Sequence, residues 1–450
     1  MKENPPGLVG EIAQFIFDAS PMPVKEIAQV AAIGLLAGIA GRAYNVSGTG
    51  LNQYVLLIAK TGLGKEAIAG GISKLIKAVR AFAPTALDFV GPTEIASPQA
   101  LTKWLARQPC IYSIVGEFGL KLKEMSAPRA PAHIAGLKRA LLDLYHKSGD
   151  GNVMGAMAYS KREDNTPVIN SPAFTLIGES TPERFYDSVN EDVVTDGLLP
   201  RFSVVEYAGQ RQKLNKSHGD VIPSQALTNR VAELVAHCAA LSSTGRVQSV
   251  SIDPTASAVL DRFEEFIIEQ MNSERVIARE LWNRAWLKAA KLAALIAVGC
   301  NYINPSINAS MAQVACDEIN AQTVALISRF SKGEVGAIEG NEERQYQSVV
   351  RVIAEYSTIN FDKLKPYLVP YDMHHARIVP ASYVQRRLTS TAAFRGQGGG
   401  SKAIDRCLQR LLDADELRQI PKQDVQKRFG QSCRAFQISK PELFLDALDK

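Results

Sequence analysis

Lys65 closes a glycine-rich turn that follows a run of apolar residues. The segment from residue 54 to residue 66 reads YVLLIAKTGLGKE, and the residues beyond it repeat with helical spacing. A buried strand, a glycine turn and a lysine in this order are typical of a phosphate-binding loop. Backbone N–H groups of such a turn face the phosphates, and the lysine reaches the β and γ oxygens. The sequence therefore predicts an ATP site formed by Thr61, Gly62, Gly64, Lys65 and Glu66.

The loop departs at two positions from the usual pattern G-x-x-x-x-G-K-[ST]. Ala59 stands where the first glycine is expected, and Glu66 stands where a serine or threonine usually touches the metal. These departures leave two alternatives open, a working ATPase site and a degenerate site that binds ATP but turns it over slowly or not at all.

Glu117 follows a second apolar run, residues 111–115, after a single glycine. An acidic side chain at the carboxyl end of a central strand lies where open α/β sheets bind their ligands. We predict that Glu117 polarises the attacking water, the alternative being a helix-capping or solvated glutamate. Because Gly116 replaces the usual aspartate, we predict that Glu66 and Glu117 together provide the protein's oxygen ligands for Mg²⁺.

Ser180 and Thr181 follow a third apolar run, residues 173–177, and could contact the γ-phosphate or the water. The same residues precede Pro182 and form a good helix N-cap, which is the alternative.

Arg201 lies just before the last predicted strand of this region. Its permanently charged, planar side chain suits a finger that reaches a neighbouring subunit's ATP, and this role requires a ring or filament. A structural surface arginine is the alternative.

Apolar runs alternating with helical patterns predict an α/β fold with a mostly parallel sheet. The predicted strands are Tyr54–Ala59, Leu87–Gly91, Cys110–Val115, Ala173–Ile177 and Phe202–Glu206, and the predicted helices between them include Pro98–Arg107 and Ala132–Tyr145. We expect an N-terminal helical segment over 1–50, a P-loop ATPase core of RecA/AAA+-like type over 51–210, a helical domain over 211–335 and a winged-helix domain over 345–450.

The C-terminal segment predicts contact with nucleic acid. Residues 382–390 and 401–412 read as helices, and 416–420 and 434–439 as a two-stranded ribbon, which together make a winged-helix pattern. From 381 to 439 there are eleven basic residues and five acidic ones, enough to neutralise several phosphates. Lys402, Arg406 and Arg410 share one helical face, although winged helices also dock proteins.

Composition bounds the remaining possibilities. The chain has 450 residues, a net charge of +5 and six scattered cysteines, as expected of a cytoplasmic protein with reduced thiols and no zinc site. The apolar run from residue 30 to residue 40 is short for a membrane span, so we expect a buried helix.

Five segments in this order resemble the primase-associated replicative helicase ATPases of phages and mobile elements, relatives of superfamily 3 and AAA+ P-loop proteins. The segments are TGLGKE from residue 61, GEFG from 116, IGEST from 177, GLLPRF from 197 and WNRAWLKAAKLA from 282. The resemblance implies an ATP-driven motor on DNA, a homohexamer, and a hairpin that lines a central channel for single-stranded DNA. In this chain the hairpin is residues 152–170, with Lys161 and Arg162 at its tip, and a plain solvated hairpin is the alternative.

The sequence thus predicts an ATP-dependent DNA helicase or translocase that replicates a phage or mobile element, with duplex DNA at the winged helix and a primase or initiator as a possible partner. The first alternative is an ATP-switch replication initiator or helicase loader with weak or no hydrolysis. A transcriptional regulator with an ATPase control domain is the second.

Overall fold

A computed structural model describes the chain except for residues 2, 128, 159–164, 190, 273–275, 332–339, 390, 392–393, 395–399 and 440–450. The chain divides into two compact units, Met1–Ser328 and Arg329–Lys450.

The first unit combines helices with short and long strands. Its helices, including the one that continues past its end, are α1 Leu8–Asp18, α2 Lys25–Ala40, α3 Ala67–Val79, α4 Pro98–Arg107, α5 Phe118–Met125, α6 Ala132–Leu144, α7 Pro182–Ser188, α8 Glu191–Thr195, α9 Gln225–Ser243, α10 Pro254–Met271, α11 Val276–Trp282, α12 Ala285–Cys300 and α13 Ala309–Ser331. Its strands are β1 Tyr44–Val46, β2 Thr49–Gly50, β3 Tyr54–Ala59, β4 Cys110–Val115, β5 Val153–Met154, β6 Ile169–Asn170, β7 Ala173–Ser180, β8 Phe202–Tyr207, β9 Gln248–Ser249, β10 Ser251–Ile252 and β11 Ser306–Ile307.

A four-stranded parallel sheet in the order β4-β7-β3-β8 forms the centre of this unit. The α/β fold with a parallel sheet is therefore confirmed. β3 and β4 have the predicted bounds, whereas β7 continues to Ser180 and β8 to Tyr207. All six residues of β3 are buried, as expected of a central strand that is covered on both faces.

The predicted strand Leu87–Gly91 is wrong. Residues Pro84–Phe89 form a 3-10 helix, and the segment meets the sheet through a single parallel bridge from Val90 to Tyr112 of β4. Because the 3-10 helix extends to Phe89, only the last two residues of the predicted strand remain to continue beside β4.

Helix α2 lies against the sheet and contains the apolar run from residue 30 to residue 40. Every residue from Ile27 to Ala40 is buried. Gly34 packs on Ile177 and Gly38 packs on Tyr112 so closely that a Cβ at either glycine would collide. The expected buried helix is confirmed, and no helix in the described residues is long and apolar enough to cross a membrane.

The hairpin predicted over 152–170 is present. β5 pairs with β6 in antiparallel fashion, and a bridge joins Met157 to Thr166 nearer the tip. Lys161 and Arg162 lie outside the described residues.

The second unit places helices around a small antiparallel sheet with its own apolar core. Its elements are α14 Gly340–Thr358, the 3-10 helix Phe361–Tyr367, α15 Tyr371–His375, β12 Ile378–Pro380, α16 Ala381–Leu388, α17 Gly400–Asp413, β13 Leu417–Ile420, α18 Lys422–Phe429 and β14 Ala435–Ile438.

The sheet of the second unit has the order β12-β14-β13, so β14 is central. The predicted two-stranded ribbon therefore has a third strand. Helix α18, which the sequence analysis did not predict, connects β13 to β14, and Val425 is its single buried residue. One apolar residue gives no periodicity from which a helix could be predicted.

Candidate functional site

The turn after β3 requires glycine at two positions. Gly62 has φ +78° and Gly64 has φ +92°, a region that side chains disfavour. A Cβ at Gly64 would lie 2.7 Å from the carbonyl oxygen of Met22, so the backbone between α1 and α2 packs directly on the turn. At Gly62 the space is open, the nearest atom to such a Cβ being an Arg211 guanidinium nitrogen at 4.0 Å. The turn therefore has one buried side and one side open to solvent.

Helix α3 starts directly after this turn. The first N–H groups to join its hydrogen-bond ladder are those of Ala67, which donates to Gly64 O at 3.1 Å, and Ile68, which donates to Lys65 O at 3.0 Å. The N–H groups before them belong to the free donors that every helix N-terminus has. Thr61 and Glu66 are both exposed beside these donors. This arrangement can bind an anion through backbone donors.

Lys65 reaches back over the ends of two strands. Its Nζ donates to Ala59 O at 3.0 Å, where β3 ends, and to Ser180 O at 3.3 Å, where β7 ends. The lysine charge is therefore held at the carboxyl edge of the sheet, beside the turn. Neutral carbonyl oxygens are weak partners for an ammonium group compared with phosphate, so these bonds can be exchanged for an anionic ligand.

Ser180 and Thr181 direct their hydroxyl groups into local contacts. The Thr181 Oγ1 accepts from Arg184 N at 3.5 Å and caps α7, with Pro182 at the first helical position. Ser180 is fully buried, and a Cβ at Gly119 of α5 would collide with its Oγ. Thr181 thus has the helix-capping position that its sequence context allows, and Ser180 contributes its carbonyl group to Lys65.

Glu117 forms an ion pair that sequence analysis did not find. Its Oε2 lies 2.6 Å from a guanidinium nitrogen of Arg184, and both side chains are about half exposed, 50% and 49%. Glu117 is the residue before α5 and adopts the left-handed conformation, with φ +51° and ψ +35°. A non-glycine residue in that conformation is uncommon and marks a position that the surrounding structure determines.

Glu179 is a third acidic residue at this edge, after Glu66 and Glu117, and the sequence analysis did not predict it. Burial raises its pKa to about 7, Lys65 lowers that pKa, and the negative charges of Glu117 and Glu66 raise it. The four groups therefore share one electrostatic environment. Glu179 adjoins the predicted Ser180, so its position at the end of β7 was the available signal.

These carboxylates fit a magnesium ion only in part. Among the described residues, no three His, Cys, Asp or Glu side chains are close enough to hold a metal together. Mg²⁺ in nucleotide sites commonly takes one or two carboxylates, with phosphate oxygens and waters as its other ligands. Glu66 and Glu117 can serve as such ligands, directly or through water, when a nucleotide supplies the rest.

Arg201 lies at the opposite end of the sheet, where the parallel strands begin, which we call the amino edge. It ends the 3-10 helix Leu199–Arg201 and directly precedes β8, whose first residue pairs with Tyr54 at the start of β3. Its guanidinium donates to Gly197 O and lies 3.1 Å from His146 Nε2. The structure therefore does not bring Arg201 together with Lys65 and Glu117 in one subunit.

Arg284 and Asp143 are both close enough to Arg201 to influence its charge, in opposite directions. Burial lowers its pKa first, and Arg284, the residue before α12, lowers it further. His146 has its pKa lowered to about 4 by burial and then by the charges of neighbouring cations, among them Arg201 and Arg284. The Arg201 Nε is buried without a hydrogen-bond partner in the described part of the chain.

Lys291 is fully buried near His146. Its Nζ donates to Asn52 O at 3.2 Å, Asn52 Oδ1 at 2.9 Å and Tyr145 O at 3.4 Å. Burial lowers the pKa of Lys291 to about 7. Complete burial and three acceptors assign this lysine to the core rather than to a ligand.

The predicted DNA-contacting residues of the second unit lie on the exposed side of α17. Lys402, Arg406 and Arg410 are exposed, whereas Ile404, Leu408 and their neighbours form the buried face. The Arg410 guanidinium also packs 3.9 Å from the centroid of the Tyr346 ring. These three basic residues therefore form an exposed basic face of α17.

Comparison of the chain with protein-family models and with curated proteins finds no match.

Proposed function

We propose that this chain is an ATP-dependent DNA helicase or translocase that acts in the replication of a phage or mobile element. The observation that carries the proposal is the convergence of Lys65, Glu117 and a glycine turn at the carboxyl edge of a parallel sheet. Open α/β sheets bind ligands at that edge, and each residue type there has a role in phosphoryl transfer.

The residues divide the chemistry between them. Backbone N–H groups of the turn and Lys65 would bind the β- and γ-phosphates, which orients the terminal phosphate along the sheet edge. Glu117 would position and polarise the attacking water from the neighbouring strand end. Bound Mg²⁺ would neutralise phosphate charge, with Glu66 and Glu117 nearest to it among the predicted ligands. This division corresponds to a P-loop ATPase core.

Arg201 is proposed as the finger that completes a neighbour's site. Its place at the amino edge keeps it away from its own Lys65, so it can act on a phosphate only across a subunit boundary. An arginine there stabilises the charge of the transition state. This role requires a ring, for which the resemblance suggests a homohexamer.

The second unit supports the DNA part of the proposal. It follows the order α15, β12, α16, α17, β13 and β14, with helix α18 inserted between the last two strands and the basic face of α17 exposed. This is the arrangement expected of a winged helix whose second helix of the pair meets duplex DNA. The hairpin that contains Lys161 and Arg162 is proposed to contact single-stranded DNA in the channel, and a primase or initiator is the proposed partner.

Strand displacement tests the proposal directly. Forked and tailed DNA duplexes are incubated with the full chain, with ATP, with ADP and without nucleotide. We expect separation of the strands only with ATP and Mg²⁺, together with ATP hydrolysis that DNA stimulates. Hydrolysis without displacement on every substrate would contradict the helicase, and binding without hydrolysis would favour the second candidate.

The second candidate is an ATP-switch replication initiator or helicase loader. The observation that favours it is the ion pair between Glu117 and Arg184, since a carboxylate held by an arginine is a poorer base for water. ATP-dependent assembly on DNA, measured by sedimentation with slow or no turnover, would identify this function.

Salt dependence tests the basic face of α17. Lys402→Ala should reduce the slope of log K against log salt by about 1 if Lys402 contacts a phosphate. Lys363→Ala, an exposed lysine in the 3-10 helix of the same unit, is the matched control and should leave the slope unchanged. Equal slopes for both variants and the unmodified chain would assign this face to protein docking.

A further inference from the structure

We infer that Arg184 is a second phosphate-contacting arginine of the ATP site and acts within its own subunit. It is paired with Glu117 without nucleotide and turns to the terminal phosphate when ATP is bound. The inference rests on the proposed ATP site and adds a residue that recognises the γ-phosphate.

The first argument is position. α7 begins two residues after β7 ends, and β7 lies between the strand of the glycine turn and the strand that leads to Glu117. Arg184 is the third residue of α7, so it projects from the same sheet edge that carries Lys65. Parallel strands place their carboxyl ends side by side, which brings these two cations to one edge.

The second argument is the rigidity of the support. Thr181 caps α7 through the N–H of Arg184 itself, at 3.5 Å. Gly119 of α5 packs so closely that a Cβ there would lie 3.3 Å from Arg184 C and from Phe185 N. The start of α7 is therefore fixed against α5, and the side chain of Arg184 is what remains able to move.

The third argument concerns the ion pair. With both side chains about half exposed, the pair contributes little to stability. The fold therefore does not depend on it. Glu117 nevertheless adopts the left-handed conformation, which is costly for a glutamate and places its carboxylate beside Arg184. Local strain without a stability benefit is typical of a functional site.

The fourth argument is chemical. A guanidinium fork binds phosphate oxygens at two points, and phosphate carries more negative charge than a single carboxylate. A terminal phosphate held by Lys65 would therefore compete with Glu117 for Arg184. The exchange frees the Glu117 carboxylate to accept a proton from water, so ATP binding would itself release the base. ADP lacks the γ-phosphate and leaves the pair intact.

The experiment measures binding of a non-hydrolysable ATP analogue and of ADP, each with Mg²⁺, to the full chain. Arg184→Ala should weaken analogue binding about ten-fold or more and leave ADP binding unchanged, since only the former loses a charged hydrogen bond. The affinity of Arg184→Lys for the analogue should lie between those of the unmodified chain and Arg184→Ala, because lysine keeps the charge without the guanidinium fork. Arg80→Ala, an exposed arginine at the far end of α3, is the control and should change neither affinity.

The outcomes separate the inference from the function on which it rests. An unmodified chain that binds neither nucleotide overturns the ATP site as a whole. If the unmodified chain binds both, equal effects of Arg184→Ala on the analogue and ADP, or no effect on either, overturn the inference alone.

Discussion

The two edges of the central sheet carry charged residues in opposite ways. At the carboxyl edge Lys65, Glu117 and Arg184 are of both signs, partly accessible, and held by neutral carbonyls or by each other. At the amino edge Arg201 and Lys291 are cationic and more deeply buried, and Arg201 has Arg284 as a further cation nearby. The charged side chains of the carboxyl edge are therefore accessible to a ligand, whereas the Lys291 amine is tied to fixed acceptors of the core.

Strand length sets the separation between the edges. Six residues of β3 at about 3.3 Å each span roughly 20 Å, which is beyond the reach of an arginine side chain. Arg201 therefore cannot assist the glycine turn of its own chain. Any role for it in phosphoryl transfer belongs to an assembly, whereas Arg184 lies at the carboxyl edge and is proposed to act within its own subunit.

The largest expected effect is at the carboxyl edge. Lys65→Ala should reduce ATP hydrolysis to the background rate, because the lysine charge on the β- and γ-phosphates is lost. Lys60→Ala is the control, since Lys60 is exposed at the start of the same turn and has no predicted phosphate contact. The measurement is the ATPase rate of each purified variant, with circular dichroism to verify folding. Undiminished turnover in folded Lys65→Ala would remove the phosphate-binding role from this edge.

Arg201→Ala should have the next largest effect. The variant should bind ATP and lose hydrolysis on the order of 10³-fold if Arg201 acts as a finger in a neighbour's site. Mixing it with Lys65→Ala subunits should restore part of the ATPase rate, because some interfaces then combine an intact turn with an intact finger.

Mixing experiments can also test whether Arg184 acts within its own subunit while Arg201 acts on a neighbour's site. Arg184→Ala mixed with Lys65→Ala should restore no activity, since no subunit then contains both residues. Normal hydrolysis by Arg201→Ala, or a protein that stays monomeric with ATP and DNA, would leave Arg201 as a structural residue of the amino edge.

Substitution of Lys291 tests whether this amino-edge side chain is part of the structural core. Lys291→Met leaves the buried carbonyls of Asn52 and Tyr145 without their donor, so we expect about 1–3 kcal/mol of lost stability. Unfolding by urea is followed by tryptophan fluorescence, because Trp104, Trp282 and Trp286 all report on the first unit.

The effect of Lys291→Met should depend on pH with a definite sign. The pKa of Lys291 is about 7 in the folded chain and 10.5 for an ordinary lysine. Below pH 7 Lys291 is protonated in both the folded and the unfolded chain, so burial of its charge lowers the stability of the unmodified protein. Between pH 7 and 10.5 the unfolded state binds more protons, so the stability of the unmodified chain rises relative to the variant. A difference in stability that stays constant from pH 7 to pH 9 would mean that Lys291 is charged in the folded protein throughout.

Sequence reasoning succeeded where the signal was local. The bounds of β3 and β4 could be predicted because each is an apolar run closed by a turn. Residues 87–91 are a weaker signal, because Asp88 interrupts the apolar residues, and they form the end of a 3-10 helix with a single bridge to the sheet.

The contacts of the site are set by tertiary packing. Glu117 and Arg184 are 67 positions apart, and they meet because Gly119 lets α5 approach α7. No local spacing encodes such a pair. The roles of the Thr181 hydroxyl and the Ser180 carbonyl likewise depend on how β7 ends against its neighbours. Residue types at a strand end could therefore be predicted, whereas their partners could not.

The smallest expected effect separates a structural hydroxyl from a catalytic one at the carboxyl edge. Thr181→Ala removes the cap of α7 and should cost about 1 kcal/mol of stability, with nearly normal ATP hydrolysis by the folded protein. Ser224→Ala is the matched control, because Ser224 caps α9 in the same way through the N–H of Leu227. Similar losses of stability for the two variants, measured by urea unfolding, would assign Thr181 to capping. A loss of hydrolysis in Thr181→Ala that exceeds ten-fold, with none in Ser224→Ala, would instead place this hydroxyl in contact with the phosphate or the water.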